Sequence, residues 1–558
     1  MSLTQRYCCG SSLCSSLSQQ SHLVGKARRG SKLEDSRPTG SGTRQLDCPL
    51  FEQCSGCTLE EGLEAPPLVE QAACHIAEVY PHADFNLHQS QQVHGWRCRA
   101  KLAVRGSVGS PHIGLFGAGT HMITDLDNCR VQHPCINAAM QLVREAVQGL
   151  GICPYNEAIG TGELRYLQLT AAGSEFSSWQ AQQDAQASVQ VVLIWNDKKS
   201  QAGDVPSRLA QLAENIWKIG QPSAGTTQRG MADQKGLIHS VWANYQPARD
   251  NTIMGPDWQH LHGPQDLWQS FGGALVNVPP GSFVQANFGA MEAALAVIAN
   301  SLPPAASVAD LHAGVGTIGL SLIASGRCSA LRCVEISDAG ERAFWRSAAR
   351  LPDPHVPLAY HVASAGSNPA AWLKGIDVAV LDPPRKGLDS KLLAFLCGQS
   401  TATLHKTGGS PTDARPIHID DTVNKDISGA ASSDKDETLA VHGLASPSHS
   451  QSLLPPAATK SKRALRHSQK HASRKQLAQK SHISNYQEML DPEGLSSNLQ
   501  QLIYLSCGWG SFMRDCDALT ASDRWQLTSA KAFVFFPGTD SLETLAIFQR
   551  TGLPSRQE

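Results

Sequence analysis

Three cysteines near the N-terminus have the spacing of metal ligands. The segment "CPLFEQCSGC" holds them in a C-x5-C-x2-C array: Cys48, Cys54 and Cys57. Zinc and iron-sulfur clusters both accept four cysteine ligands, so a fourth ligand must come from elsewhere. Cys129, in the turn-like segment "DLDNCRVQHP", is a better candidate than Cys135 or Cys74. The spacing predicts a metal site and leaves zinc and a 4Fe-4S cluster open.

A glycine-rich segment, "DLHAGVGTIGLSL", follows a predicted strand and precedes a predicted helix. Gly314, Gly316 and Gly319 would let backbone N–H groups and the helix N-terminus face a polar ligand. Glu335 ends the next predicted strand 19 residues after Gly316, where a carboxylate meets ribose hydroxyls. The pair predicts a nucleoside cofactor, and dinucleotides and S-adenosyl-L-methionine (SAM) both fit.

Two later segments provide candidates for covalent chemistry. "VLDPPRKGLD" follows a predicted strand, and its rigid Pro-Pro turn would hold Asp382 and Arg385 over the ligand crevice of a doubly wound sheet. Cys507, in "LIYLSCGWGSFMRD", ends another predicted strand and is followed by Gly508 and Gly510. That setting favours a nucleophile over an inert core cysteine.

The elements that must position these residues fall into two blocks. From about 86 to 270, alternating runs such as "RCRAKLAVRG" and "SVQVVLIWND" predict antiparallel strands, with helices near 62–80 and 135–149. From 271 onward, apolar strands alternate with helical stretches, which predicts βαβ units and a parallel sheet. The expected fold class is α/β, a Rossmann-like domain preceded by a β-rich α+β domain.

Composition sets further limits. The formal net charge is −2, so nucleic-acid binding would need a local basic surface. The sequence contains no run of 18 apolar residues, so it predicts no transmembrane helix. Residues 1–33 have five basic residues, no acidic ones and eight serines, which predicts a transit peptide or disordered region over 1–45, for a plastid first and a mitochondrion second. The 16 cysteines, without a secretory signal, favour a reducing compartment.

A second low-complexity stretch interrupts the Rossmann-like block. Residues 399–485 contain no Phe, Trp or Tyr, so we predict a disordered insertion. Its segment 460–480 carries eight Lys or Arg residues and no carboxylate, which could track a phosphate backbone. The predicted domains are therefore a β-rich domain over 46–270 and a catalytic domain split into 271–398 and 486–558.

In this order, the motifs resemble those of the RNA uracil-5-methyltransferases, which form 5-methyluridine. The resemblance covers about 45–397 and 490–552. "CPLFEQCSGC" with Cys129 is similar to the 4Fe-4S loop of the ribosomal-RNA branch, "SFVQANFGAME" to a cofactor-contacting segment, and "FPGTDSLETLAIFQR" to a C-terminal motif with the catalytic base. The resemblance implies Cys507 as nucleophile, Glu543 as base, and a SAM site lined by Gln285, His312, Thr317, Glu335 and Asp382.

The implied chemistry explains these residue types. A thiolate adds to uracil C6 so that C5 becomes nucleophilic enough to take a methyl group. A cation, Arg385 or Arg514, would stabilise that thiolate. After methyl transfer from SAM, Glu543 would remove the C5 proton, and its apolar surroundings predict a raised pKa. The uracil must leave its stack to reach the site.

Three positions depart from the family pattern. Gly508 and Trp509 stand where Asn-Pro is usual, and a glycine at the first of these positions resembles plant and algal members. His312 replaces an aromatic residue, and Ser541 replaces a histidine. The cysteine array favours ribosomal RNA as the partner over the tRNA T-loop. The alternative outside the enzymes is a catalytically silent RNA-binding or ribosome-assembly factor. The presence of both Cys507 and Glu543 argues against that alternative. The C-x3-C-x2-C spacing usual in radical-SAM enzymes does not occur in the cysteine loop.

Overall fold

The computed structural model describes residues 45–90, 92–173, 187–222, 236–353, 355–399 and 498–552. The predicted transit peptide lies outside these ranges except for Gln45, and the predicted insertion lies outside them except for Gln399. Within the described ranges, no helix combines the length and apolar character needed to cross a membrane.

The first half of the chain builds a seven-stranded sheet. The elements in this half of the chain are, in order, α1 (Pro67–Val79), β1 (Asp84–His88), β2 (Arg99–Ser107), β3 (Ser110–Phe116), β4 (Ile123–Asp125), α2 (Pro134–Gly149), β5 (Leu164–Ala172), β6 (Ser188–Trp195), α3 (Ser207–Ile219), β7 (Ile238–Tyr245) and β8 (Asp257–His262). The strand order is β4-β3-β2-β5-β6-β7-β8. The two helices predicted near 62–80 and 135–149 are confirmed as α1 and α2.

One pairing in this sheet differs from the antiparallel pattern expected from the sequence. β6 and β7 run parallel, with Val191 opposite Val241. Parallel neighbours need a crossover connection, and α3 provides it. α3 was not predicted, although it buries Leu209, Leu212 and Ile216 in the same core as α2. Alternation along a strand reports which residues face the core and carries no information about strand direction.

The second half forms an eight-stranded sheet with helices between its parallel strands. The elements are β9 (Trp268–Phe271), β10 (Ala274–Asn277), α4 (Phe288–Ser301), β11 (Ala306–Leu311), α5 (Thr317–Ala324), β12 (Cys328–Glu335), a 3-10 turn (Asp338–Gly340), α6 (Glu341–Ala348), β13 (Leu358–Val362), α7 (Pro369–Leu373), β14 (Val378–Leu381), α8 (Ser390–Leu396), β15 (Gln501–Ser506), α9 (Trp509–Ala521), β16 (Trp525–Phe533) and β17 (Glu543–Arg550). The order is β1-β16-β17-β15-β14-β11-β12-β13. β17 is antiparallel to β15 and β16, and the predicted Rossmann-like α/β class is confirmed.

An N-terminal segment extends this second sheet. β1 pairs in parallel with β16, from Asp84 opposite Ser529 to His88 opposite Phe533. The hydroxyl of Tyr80, just after α1, donates to Asp517 on α9. Residues 67–88, which the sequence analysis placed in the β-rich domain, therefore pack with the eight-stranded sheet.

Chain direction brings the chemical motifs to one edge of the eight-stranded sheet. β11, β12, β14 and β15 are parallel, so the residues that follow them lie at the same edge. Ser506 at the end of β15 pairs with Thr544 of the antiparallel β17, so Glu543 starts its strand at that same edge. His312, Glu335, Asp382, Cys507 and Glu543 thus converge, although more than 200 residues separate His312 from Glu543.

Candidate active site

The glycine-rich turn after β11 forms a tight backbone loop. Gly316 has φ +83° and precedes α5, and a Cβ placed on it would lie 2.5 Å from the ring of Phe344. Glu335 is held at both oxygens, because Gly314 N–H donates to Oε2 and Ser337 N–H to Oε1, each at 2.9 Å. Thr317 begins α5. The loop and its carboxylate have the arrangement expected for binding the ribose of a nucleoside.

Two carboxyl groups beneath this loop are poorly solvated. Asp310 is fully buried and accepts one hydrogen bond from Gly319 N–H at 2.9 Å, while its Oδ1 has no partner. Burial raises the pKa of Asp310 to about 7. Asp382, after β14, has its pKa raised to about 7 by burial and then by the charges of Asp310 and Glu335. Both groups are therefore partly ionised near neutral pH and would attract a cationic ligand.

His312 adopts a conformation that is rare for a residue with a side chain. Its φ is +68°, and its buried Nδ1 has no hydrogen-bond partner. Burial lowers the pKa of the ring, so the imidazole is neutral at physiological pH. A strained residue with an orphaned polar atom at a ligand-facing loop is typical of a binding site.

Cys507 lies half-buried at the end of β15. Burial raises the pKa of its thiol to about 12, with further increases from the charges of Glu543 and Asp382 and an opposing effect from Arg385. Glu543 is 2% exposed, and its Oε2 has no partner. Burial and then Asp382 raise the pKa of Glu543 well above its ordinary value, while Arg385 lowers it. The structure therefore places a thiol, two carboxyl groups and one guanidinium within electrostatic range of each other.

Arg385 and Arg514, the two cations suggested by the sequence, have different surroundings. The charge of Arg385 acts on both Cys507 and Glu543. Arg514 instead donates to Asp515 Oδ1 at 3.0 Å and to the Lys386 carbonyl at 2.7 Å. Of the two cations, Arg385 is therefore the one whose charge acts on the thiol.

Gln285 belongs to a segment that connects the two sheets. The segment's Ala286 carbonyl accepts from Cys98 N–H, next to β2, at 2.7 Å. Asn287 caps α4 and donates from Nδ2 to the Phe535 carbonyl at 2.9 Å. Gln285 is 8% exposed, so it lies in the interior of this junction next to the β16–β17 connection.

Phe283 is an exposed aromatic residue near Gln285 that the sequence analysis did not single out. Its side chain is 73% exposed two residues before Gln285. The backbone around it is fixed, since Arg99 donates to the carbonyls of Ser282 (2.6 Å) and Pro280 (2.7 Å), and Gln168 donates to Pro280 (2.6 Å). A rigidly held, exposed aromatic ring can stack on a nucleic-acid base. Its sequence signal was present in "SFVQANF", but exposure is a tertiary property.

The four predicted metal ligands lie near one another. Cys54, Cys57 and Cys129 have pKa values raised first by burial, and the charges of the other thiols, Cys48 among them, raise them further. The charge of the half-buried Arg97 has the opposite effect on the pKa of each of these three thiols. Among the described residues, no group of three or more His, Cys, Asp or Glu side chains has the arrangement to hold a metal ion. Four cysteine thiols are suitable ligands for an iron-sulfur cluster. In the described part of the chain, however, they are not arranged in the geometry that would hold a metal ion.

The cysteine loop contacts the segment that leads to Glu543. The N–H groups of Thr58 and Leu59 both donate to the Gly538 carbonyl, at 2.8 and 3.0 Å. Asp540 N–H donates in return to Thr58 Oγ1 at 3.0 Å. Gly538 has φ +93°, and a Cβ there would lie 3.4 Å from Cys57 Sγ. The loop and the β16–β17 connection therefore support each other.

The departure at 508–509 has a structural explanation. A Cβ on Gly508 would lie 2.7 Å from both the Arg385 carbonyl oxygen and Ser511 Oγ, so a side chain does not fit without movement. Trp509 packs on Phe512 and, edge-on, on His75 of α1, with ring centroids 5.5 and 5.8 Å apart. The Gly-Trp pair thus joins the turn after Cys507 to the Arg385 turn and to α1.

Comparison with known proteins relates the chain to RNA methyltransferases. A search against models of known protein families finds no match. An uncharacterised RNA methyltransferase of Protochlamydia amoebophila is 28% identical over 509 residues, which span 90% of this chain and 98% of that protein. Another, of Enterococcus faecalis, is 26% identical over 365 residues, or 63% of this chain and 72% of that protein.

Solved structures share the fold. The tRNA (uracil-54, C5)-methyltransferase of Pyrococcus abyssi, in complex with S-adenosyl-L-homocysteine, matches with a TM-score of 0.50 and 15% identity, covering 85% of this chain and 81% of that one. The chain therefore has the Rossmann-like fold of SAM-dependent methyltransferases with an additional β-rich region, as predicted.

Proposed function

We propose that this chain is a SAM-dependent RNA methyltransferase that forms 5-methyluridine, with Cys507 as the nucleophile and Glu543 as the base. The observation that carries the proposal is the convergence of Cys507, Asp382 and Glu543 at the sheet edge beside the glycine-rich loop. The relatives named RNA methyltransferases support RNA as the substrate. SAM, when bound, supplies the electrophilic methyl group.

The first task of the site is to form a thiolate. The Cys507 thiol, with a pKa of about 12 in the free protein, is protonated at neutral pH. Asp382, with a pKa of about 7, is the neighbouring carboxylate that can take the proton. Arg385 stabilises the sulfur anion. The sulfur then adds to uracil C6 and leaves C5 electron-rich.

The second task is to remove the C5 proton after methylation. Glu543 accepts that proton, the C5–H electrons restore the double bond, and the bond from Cys507 to C6 breaks. Burial makes Glu543 a stronger base than an exposed carboxylate. Arg385 opposes that rise in pKa, which favours the ionised form that can accept the proton.

Single-turnover assays test this assignment. RNA containing 5-fluorouridine should form a covalent adduct with wild type, because fluorine at C5 blocks the elimination step. Cys507→Ala should form no adduct and should still bind SAM, since the thiol acts on the base alone. Cys516→Ala, which removes another buried thiol on α9, is the matched control and should retain the adduct. An adduct that persists in Cys507→Ala would overturn the assignment.

For the target we propose ribosomal RNA, on the basis of the cysteine array. The tRNA T-loop is the alternative, because the Pyrococcus neighbour is named for tRNA uracil 54. Mapping of 5-methyluridine in ribosomal and transfer RNA from cells that lack the protein separates the two. Loss of the mark from tRNA alone would contradict the ribosomal assignment.

We further propose that Cys48, Cys54, Cys57 and Cys129 hold a 4Fe-4S cluster. Two observations support it: the charges of the four thiols act on one another, and Cys48, Cys57 and Cys129 pack in one cluster with Trp96 and Phe536. Such a cluster would stabilise the loop on Gly538. We also propose plastid import through residues 1–45. A fluorescent fusion of that segment should enter plastids, and uptake by mitochondria would contradict this.

A further inference from the structure

The turn that carries Arg385 is held by one face of α9. Gly387 N–H donates to the Pro384 carbonyl at 2.8 Å, which closes the turn, and Gly387 has φ +88°. Arg385 occupies an exposed corner of this turn. An exposed arginine on a turn would ordinarily sample many conformations, so its effect on Cys507 depends on how firmly the turn is fixed.

Three side chains of α9 make hydrogen bonds to the backbone of this turn. The hydroxyl of Ser511 lies 2.7 Å from the Arg385 carbonyl oxygen. Arg514 Nη2 donates to the Lys386 carbonyl at 2.7 Å. Asp515 Oδ2 accepts from Leu388 N–H at 2.7 Å. We call Ser511, Arg514 and Asp515 the α9 clamp.

Asp515 anchors the clamp in the interior. It is 0% exposed, and it accepts from Tyr504 OH at 2.8 Å and from Arg514 Nη2 at 3.0 Å as well as from Leu388. A buried carboxylate satisfied by several donors is rigid, and removing one donor leaves a costly unpaired group. A Cβ on Gly387 would lie 2.4 Å from Asp515 Oδ2, so the turn and the carboxylate are in close contact.

We propose that the α9 clamp is a positioning device that fixes the Pro384–Gly387 turn so that the Arg385 guanidinium stands over the Cys507 sulfur. The inference rests on the proposed role of Cys507 as the nucleophile. Ser511, Arg514 and Asp515 act through Arg385 and touch neither uracil nor SAM. The motif that contains the nucleophile thus also places the cation that stabilises it.

The test measures thiol reactivity and needs no methylation. Alkylation of Cys507 by iodoacetamide is followed at pH 8 in the full-length protein by mass spectrometry of the Cys507 peptide. Arg385→Gln should slow alkylation by about threefold to tenfold, because the thiolate loses its neighbouring cation. Asp515→Asn and Ser511→Ala should slow it as well, and Lys386→Gln, which removes the adjacent exposed cation, should leave the rate unchanged.

A double-mutant cycle distinguishes positioning from a general structural effect. If the clamp acts through Arg385, then Asp515→Asn and Ser511→Ala should have no further effect in the Arg385→Gln background. Equal slowing in both backgrounds, or no slowing by Ser511→Ala in a protein of unchanged melting temperature, would overturn the inference. Ser511→Ala serves if Asp515→Asn does not fold. The two proposals fail separately. Absence of the 5-fluorouridine adduct in wild type would overturn the proposed function, whereas the alkylation rates of the variants decide whether the α9 clamp positions Arg385.

Discussion

Replacing Glu543 by glutamine should lower activity and raise stability at neutral pH. Glu543 is 2% exposed with an unpartnered Oε2, and its pKa is raised well above the ordinary value. The folded protein therefore binds a proton at Glu543 at pH values where the unfolded chain has released it. Stability from this group is complete below the unfolded pKa of about 4.5 and is lost as pH rises toward the folded pKa.

The size of the stability difference follows from the gap between the unfolded and folded pKa values of Glu543. Each pH unit between the two pKa values costs wild type about 1.4 kcal/mol of unfolding free energy, and Glu543→Gln removes this dependence. Urea denaturation of both proteins at pH 5, 6 and 7 should show the unfolding free energy of the variant rising relative to wild type as pH rises, by at most about 1.4 kcal/mol per pH unit. Glu78→Gln, which changes an exposed glutamate on α1, should show no such trend. A stability difference that is constant with pH would refute the buried, protonated carboxyl.

The same substitution, Glu543→Gln, should lower the rate of methylation although it raises stability. Loss of a general base costs about 10² to 10⁴ in rate. Because the role we propose for Glu543 follows methyl transfer, Glu543→Gln should accumulate a covalent complex with ordinary uridine RNA and SAM, visible as a shifted band in a denaturing gel. Wild type should release its product. A variant that methylates and releases RNA at the wild-type rate would remove Glu543 from the mechanism.

Three further outcomes are expected. Protein purified without oxygen should be brown with about four irons, and Cys54→Ser should lose both iron and colour, whereas one bound zinc would replace the cluster by a zinc site. Gly508→Ala should reduce methylation by about tenfold to a hundredfold, because its Cβ meets the Arg385 carbonyl at 2.7 Å, while Gly510→Ala, with open space around its Cβ, should keep the activity. Alkylation of Cys507 should rise about tenfold per pH unit from 7 to 9 without a plateau, since its pKa is about 12, and a plateau below pH 9 would contradict that value.

Much of the fold was predictable because its signals are local. Strands such as Val378–Leu381 are short apolar runs bounded by turns, and parallel strands buried on both faces read in this way. The glycine turn was predictable for the same reason, since φ +83° at Gly316 favours a residue without a side chain. The crossover α3 and the partner of β1 were not, because both depend on pairings between distant segments.

The same distinction between local sequence signals and long-range contacts applies to the site. The sequence by itself determined which residue types follow which strands, and therefore that Glu335, Asp382 and Cys507 meet at the carboxyl edge of a parallel sheet. Only the tertiary structure decided that the charge of Arg385 acts on the thiol while Arg514 holds the turn, and that Phe283 is exposed on a fixed loop. The physical reason is that charge effects and exposure depend on distances between atoms far apart in the chain, whereas strand ends and turns depend on neighbouring residues.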